Sequence, residues 1–286
     1  LWWHGDVILN KKMPLDQDPI EDKEMSFFDH LDAFRSHLVK SAYAIAILSI
    51  LALFYMDTIF HGVILAPLRP DFISYRFVCY LSHHFYGNDQ FCVNDLNIEL
   101  MNTEMAGQFM MSFKLAFVFG IIVAMPYIIW QLWQFLRPAL TQKERSKIKG
   151  FSFYTTGLFL VGIAFGYFIL CPISVNFLSN YTMSPLIKNR IVISNVVSFM
   201  TLVVVGSGLI FELPILMFFL AKLGLISSAF LKKYRKHAFV VILIVAAIAT
   251  PPDVVSQITL TIPMYSLFEL GIVIIKRVEK QKAEHV

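Results

Sequence analysis

Residues Pro126–Arg145 read PYIIWQLWQFLRPALTQKER. The stretch opens apolar, carries Trp130, Trp133 and Phe135, and then turns charged at Arg137, Lys143, Glu144 and Arg145. A long apolar helix that meets aromatics and then a charged tip reads as a membrane helix leaving the bilayer. Trp and Tyr collect at the two membrane interfaces, so the aromatics are expected to mark that depth. Pro126 and Pro138 bracket the helical part, and the charged tip is expected to be a hairpin between two spans.

Composition extends this reading to the whole chain. Of 286 residues, 57% are hydrophobic and 15% are charged, with a mean hydropathy of +0.65. Soluble domains carry about 25% charged residues, so this chain lacks the polar side chains to cover a soluble surface. The fold class is therefore an all-α integral membrane protein. A membrane helix needs about 20 apolar residues, and six candidates meet or approach that length, at about 38–60, 109–130, 151–172, 197–220, 237–250 and 255–275. The fifth is short. The sixth is expected to be interrupted by Gln257, Pro263 and Glu269.

Orientation follows from lysine and arginine, which favour cytoplasmic loops. With six spans, the side shared by both termini holds nineteen of them and the other side four, namely Arg69, Arg76, Lys188 and Arg190. Both termini are thus expected in the cytoplasm. Three parts result: a polar tail (1–25), a six-helix membrane domain (26–277) and a cytoplasmic tail (278–286). Residues 1–12 precede Met13 and are left out of the fold reasoning. The first long apolar run is expected to stay as an anchor. The lipid bilayer is the one partner that composition implies directly, and no basic patch with interleaved aromatics points to nucleic acid.

Fourteen residues in the fifth span rise only about 21 Å, against a hydrocarbon core of about 30 Å. Pro251, Pro252 and Asp253 follow it, and two prolines there force a tight turn into the last span. Cys79 and Cys92, thirteen residues apart, lie in the long segment 61–108. Two readings stand for them: a disulfide on the oxidising side of the membrane, or two unpaired thiols. Cys171 reads as a packing residue. The three cysteines and eight histidines show no metal-ligand spacing, and no metal or cofactor is expected.

Charged groups within spans are costly. Lys114 lies one turn inside the second span and can extend its amine to the interface. Glu269 either pairs with a basic side chain or serves a partner helix. Glu212, in GLIFELPIL before Pro214, has no neutralising neighbour in sequence and needs a cavity, a polar partner or another subunit. No G-x-S-x-G, H-E-x-x-H, phosphate loop or dinucleotide fingerprint occurs, so the chain reads as a non-enzyme without catalytic residues. A secondary transporter or a structural membrane scaffold remain alternative readings. The first would carry internal repeats and a midplane site, and neither is evident.

Several motifs together resemble the TatC family, the multi-span signal-peptide receptors of the twin-arginine protein translocase. They are His30, Leu31 and Arg35; Ala66–Pro67; Glu104 with Lys114; and Pro126, Gln131, Trp133, Phe135, Pro138, Leu140, Glu144 and Arg145. Gly162, Phe165, Tyr167 and Pro172 follow, then Phe211, Glu212 and Pro214. The last set is Thr250 through Asp253, Ser256, Gln257, Ile262 through Met264, Leu267 and Glu269. The order of these motifs across about Ser26–Arg277 makes the resemblance specific.

The resemblance implies binding of Arg-Arg signal peptides of folded cargo at the cytoplasmic face. It implies an oligomeric complex with TatA-type and, where present, TatB-type single-span proteins, transport driven by the protonmotive force, and a bacterial inner-membrane location. Glu144 takes the place of the family's signal-binding loop acid, with Phe135 and Arg145 beside it. The family's N-terminal acid falls on Ala33, so the chain departs from the pattern there; two readings stand, that Asp32 or Asp29 substitutes for it or that this contact is missing. Glu212, with Gln257 and Glu269, takes the place of the polar intramembrane site for partners. Pro67, Glu104, Pro126, Pro138, Pro172, Pro251, Pro252 and Asp253 are expected to be structural.

Overall fold

In hydrocarbon every backbone polar group must be satisfied within the protein, which leaves the helix as the economical form for long apolar runs. A computed structural model of the chain describes residues 27–86, 92, 99–136, 148–182, 184, 190–222, 224–250 and 254–283. Glu144, Arg145, Pro138, Pro251, Pro252, Asp253 and the first 26 residues, with the last three, lie outside the described residues.

The first helix, α1, covers Phe27–Phe54 and continues through α2 (Met56–Ile59), a π turn (Phe60–Ile64) and a 3-10 turn (Ala66–Leu68). Helix α3 spans Ile73–Tyr86 and strand β1 spans Glu99–Met101. Then follow α4 (Gly107–Leu136), α5 (Ile148–Phe165), a π turn (Gly166–Leu170) and α6 (Cys171–Asn180). Strand β2 (Arg190–Val192) leads into α7 (Ile193–Phe211) and α8 (Leu213–Lys222). The chain closes with α9 (Ser228–Lys233), α10 (Arg235–Ala249) and α11 (Val254–Ala283).

Among the described residues, five stretches are long and apolar enough to cross a membrane: 31–54, 107–136, 150–180, 193–222 and 254–280. Helix α10 is the short one, with 15 residues and a rise of about 22 Å. The expected interruption of the last span is corrected: α11 is one 30-residue helix with Pro263 inside it. A proline removes one backbone bond, and packing on neighbouring helices lets a membrane helix tolerate that loss. The chain breaks instead at Glu212, between α7 and α8, where Pro214 enters the first turn of α8. Pro214 has no N–H to give to the preceding turn and crowds the carbonyl four residues back.

Side-chain contacts fix the arrangement. Helix α1 runs antiparallel to α4, because His37 meets Gln131 while Ser49 lies against Gly120. Trp133 is 2% exposed. It stacks on Phe151 of α5 at 5.1 Å and lies 5.1 Å from Phe219 of α8, and its indole N–H reaches Thr155 Oγ1 at 3.3 Å. The interfacial role expected for Trp133 is therefore corrected: it is the packing centre where α4, α5 and α8 meet. Helices α5 and α7 touch backbone to backbone. A Cβ on Gly162 would lie 2.8 Å from the Gly208 Cα, and Ser207 Oγ donates to the Gly162 carbonyl at 2.7 Å.

The face opposite the α1 N-terminus carries a cap. The buried Tyr75 hydroxyl lies 2.9 Å from the Pro172 carbonyl and 3.2 Å from the Pro67 carbonyl. Burial pushes the Tyr75 phenol well above its ordinary range, so it keeps the proton it donates. Tyr167 donates to the Val63 carbonyl at 2.8 Å. Strands β1 and β2 pair in parallel, with Glu99 opposite Arg190 and an ion pair between them at 3.1 Å. Cys79 and Cys92 form a disulfide with their Cα atoms 4.5 Å apart, and Cys171 is buried. Pro67 and Pro172 are buried. The Glu104 carbonyl accepts from Asn102 Nδ2 and the Gly107 N–H as α4 begins.

Candidate functional site

Two sites carry polar chemistry on the membrane helices. The first lies between α1 and α4, toward the N-terminal end of α1. The Phe34 and Phe135 rings are 5.3 Å apart, and the His37 ring is 6.4 Å from Phe135. Beneath them a cavity of about 170 Å³ is lined by Phe34, His37, Leu38, Gln131, Leu132 and Phe135. Its polar edge is a relay. Gln131 Nε2 donates to the Tyr127 hydroxyl at 2.5 Å. That assigns the other amide atom, Oε1, as the acceptor facing His37 Nδ1 at 2.5 Å. With the Gln131 amide in this orientation, His37 Nδ1 is the donor to Oε1.

Helix geometry places these groups. Residues 34, 37, 38 and 41 recur at the spacing of one helix face, and Ile128, Gln131, Leu132 and Phe135 do the same on α4. Phe135 stands one residue before the end of α4, and the charged tip with Glu144 follows in sequence. On α1, Asp32 is exposed while Ala33 is half-buried. Asp32 therefore points away from the side that Ala33 occupies, as the 100° step between neighbours on a helix requires.

The second site surrounds the break at Glu212. Glu212 is half-buried, and its Oε1 has no hydrogen-bond partner among the described residues. The carbonyl of Glu212 accepts from the Ile215 and Leu216 amides, both at 3.0 Å, so the backbone at the break is satisfied. Ten residues, about 15 Å of helix, separate Glu212 from Lys222 at the end of α8.

The other intramembrane polar residues are engaged within the chain. Glu269 accepts from Arg235 at 2.6 Å and from the Tyr265 hydroxyl at 3.1 Å. Gln257 donates to the Leu243 carbonyl of α10 at 3.3 Å, beside the pair Ser174–Ser256 at 2.7 Å. Lys114 donates to Ser198 Oγ at 2.6 Å. Among the described residues, the side chains of Glu212, Gln257 and Glu269 are joined by no hydrogen bond to one another.

Sequence reasoning passed over His37 and Tyr75. The signal for His37 was a polar residue at the foot of the first span, one face away from Arg35 and in line with Phe34. Tyr75 gave no signal, since its acceptors are the carbonyls of Pro67 and Pro172, one of them 97 residues away.

Residues 29–263 match the profile of the family described as "Sec-independent protein translocase protein (TatC)". The chain is 36% identical over 263 residues to the protein of that name from Blattabacterium sp. subsp. Periplaneta americana, covering 92% of this chain and 99% of that one. It is 35% identical over 267 residues to the namesake in Carboxydothermus hydrogenoformans, covering 92% and 98%. A solved structure described as the twin arginine translocase receptor TatC in DDM superposes with a TM-score of 0.67. That match is 27% identical over 86% of this chain and 99% of the other.

Proposed function

Because the chain belongs to the TatC family of Sec-independent protein translocase proteins, we propose that it is the signal-peptide receptor of a twin-arginine translocase. It is a multi-pass membrane protein of a translocase, and its family is not an enzyme family. The reading places 26–277 as one six-span domain, α10 included, in a bacterial inner membrane. Both termini and the 137–147 tip face the cytoplasm, in line with the lysine and arginine bias. Folded cargo with an Arg-Arg signal binds there, and TatA-type and, where present, TatB-type single-span proteins join the complex, with transport driven by the protonmotive force.

One observation supports the reading most: the cavity under Phe34 and Phe135 lies toward the C-terminal end of α4, and Glu144 follows eight residues after that end in the sequence. A guanidinium presents a planar fork that a carboxylate accepts bidentately. One charged hydrogen bond contributes about 1.5–3 kcal/mol net, and micromolar affinity needs about 8 kcal/mol. Acids at Glu144 and Asp32 therefore give specificity, and apolar burial at about 0.8 kcal/mol per CH₂ gives most of the affinity. Arg145 sets the local field beside Glu144. At the second site, Glu212 is the carboxylate that receives a single-span partner, while Gln257 and Glu269 hold α10 and α11 in place behind it.

The test is co-purification with a folded cargo carrying an Arg-Arg signal and with its Lys-Lys counterpart. Retention of the Arg-Arg cargo about tenfold above the Lys-Lys cargo is expected, from loss of one to two charged hydrogen bonds. Equal retention contradicts the reading.

A further inference from the structure

Helix α3 (Ile73–Tyr86) belongs to the cap and presents different chemistry on each side of its axis. Successive residues on a helix step about 100°. Tyr75, Cys79 and Ser82 fall within about 60° of one another and are buried or half-buried, so they form the packed side. Ile73, Phe77, Tyr80 and His84 fall within about 60° on the opposite side. All four are exposed, and the Tyr80 and His84 rings stack with centroids 6.2 Å apart. The two flanks between these sides differ. One carries Val78 and Phe85, exposed apolar side chains. The other carries Arg76 and His83, also exposed.

Contacts with the third span (150–180) set the depth of this helix. Phe72, just before α3, stacks on Phe168 at 5.9 Å, Ser74 donates to the Phe168 carbonyl, and Tyr75 reaches the Pro172 carbonyl at 2.9 Å. Cys171, beside Pro172, shares one apolar cluster with Met111 and Leu115 of α4. Lys114 stands between those two residues in α4. An ammonium inside a span is costly unless it reaches the interface, so Lys114 marks where hydrocarbon gives way to headgroups. The first turn of α3 therefore lies at that boundary. Phe168 and Ile169, each 42% exposed, are apolar surface of a membrane span, and the exposed side of α3 continues from them. Phe168 is one helical turn farther from the cap end of its span than Pro172. Ser74, on the Val78–Phe85 flank, is the residue that reaches it. The apolar flank thus faces the acyl chains, and the Arg76–His83 flank faces outward.

We propose that α3 is an interfacial helix, docked on the lipid leaflet on the cap side of the membrane rather than standing in water as part of the cap. Phe77 and Phe85 lie among the upper acyl groups, Tyr80 and His84 lie at glycerol depth, and Arg76 reaches the phosphates. A helix with an aromatic side and a cationic flank lies in the interface plane, its apolar face about 5–10 Å into the headgroup–acyl boundary. Water is the poorer surrounding for so continuous an apolar surface. The Cys79–Cys92 bridge joins this helix to the segment leading to β1, so the leaflet holds that part of the cap at a fixed depth. The inference uses the membrane spans of the chain and does not depend on signal recognition.

The experiment is electron paramagnetic resonance on the full chain in phosphatidylethanolamine–phosphatidylglycerol vesicles. A nitroxide is attached through p-acetylphenylalanine, one site at a time, at positions 76, 77, 85 and 169, which leaves the cysteines unlabelled. Chains in which Cys79 and Cys92 stay oxidised are measured, so each label reports on a folded cap. Power saturation compares collisions with oxygen, which concentrates in lipid, and with a water-soluble nickel chelate. Labels at 77 and 85 should favour oxygen, as the label at 169 in the third span does, and give depths of about 5–10 Å below the phosphates. The label at 76 should favour the nickel chelate. The inference is overturned if 77 and 85 are as accessible to nickel as 76, which places the helix in water. It is equally overturned if they are shielded from both reagents, which means that a second copy or another protein covers the face.

Discussion

Glu144→Lys is expected to abolish export of a twin-arginine substrate while the chain still inserts into the membrane. The substitution removes a carboxylate that accepts from a guanidinium, a loss of about 1.5–3 kcal/mol, and adds repulsion between the new ammonium and the signal's two arginines. Together these weaken binding about a hundredfold. The departure at Ala33 makes the expectation sharper. Asp32 is exposed and lies off the Ala33 side of α1, so it would meet the signal from another face than the family's acid, and the larger share of the contact is expected of Glu144. Lys143, Arg145 and Lys147 flank Glu144 and could hold its charge locally. Glu144→Lys separates the two roles by export assay with a parallel measurement of membrane insertion. Normal export with normal insertion removes Glu144 from signal binding.

Glu212→Ala is expected to leave signal binding intact and to weaken cross-linking to single-span partners about tenfold, the value of one charged hydrogen bond. The structure adds a second readout. Glu212 Oε1 lacks a partner among the described residues, and removing an unsatisfied buried polar group is neutral or stabilising. Thermal stability of the chain purified alone should therefore hold or rise. A carboxylate that merely braced the α7–α8 break would give the opposite pattern, with lost stability and unchanged cross-linking. The backbone geometry favours the first outcome, because Pro214 and the Glu212 carbonyl make the break without the side chain. Unchanged cross-linking would remove the assignment.

The helices were legible because long apolar runs with basic ends leave few alternatives in a membrane. The run at 109–130 became α4 (Gly107–Leu136), and the short segment at 237–250 became α10 (Arg235–Ala249). Side-chain roles were harder to read where the deciding neighbour is remote in sequence. Trp133 has the composition of an interfacial residue, yet Thr155 and Phe219 reach it from two later helices and bury it. Glu269 left two readings open until Arg235, 34 residues earlier, supplied its counter-charge.

Prolines misled in one place and informed in another. Pro263 and Pro214 look alike in sequence, but α11 continues through the first and the fourth span breaks at the second. Which of the two helices continues through its proline is not displayed by a single sequence. The parallel pairing of Glu99–Met101 with Arg190–Val192 joins segments about 90 residues apart. Neither three-residue strand has enough alternation to be seen by itself. At the α1–α4 site, Phe135 and Gln131 stood out by family position, whereas His37 needed the structure to show the relay to Tyr127.

The central claim is that a carboxylate at residue 144 reads the guanidinium pair of the signal. A double-mutant cycle tests it directly. Peptide affinity is measured for wild type and Glu144→Gln, each with an Arg-Arg and a Lys-Lys signal. The account gives a preference for Arg-Arg of about tenfold or more in the wild type that collapses toward unity in Glu144→Gln, a coupling of about 1.5–3 kcal/mol. An Arg-Arg preference that survives Glu144→Gln unchanged contradicts it.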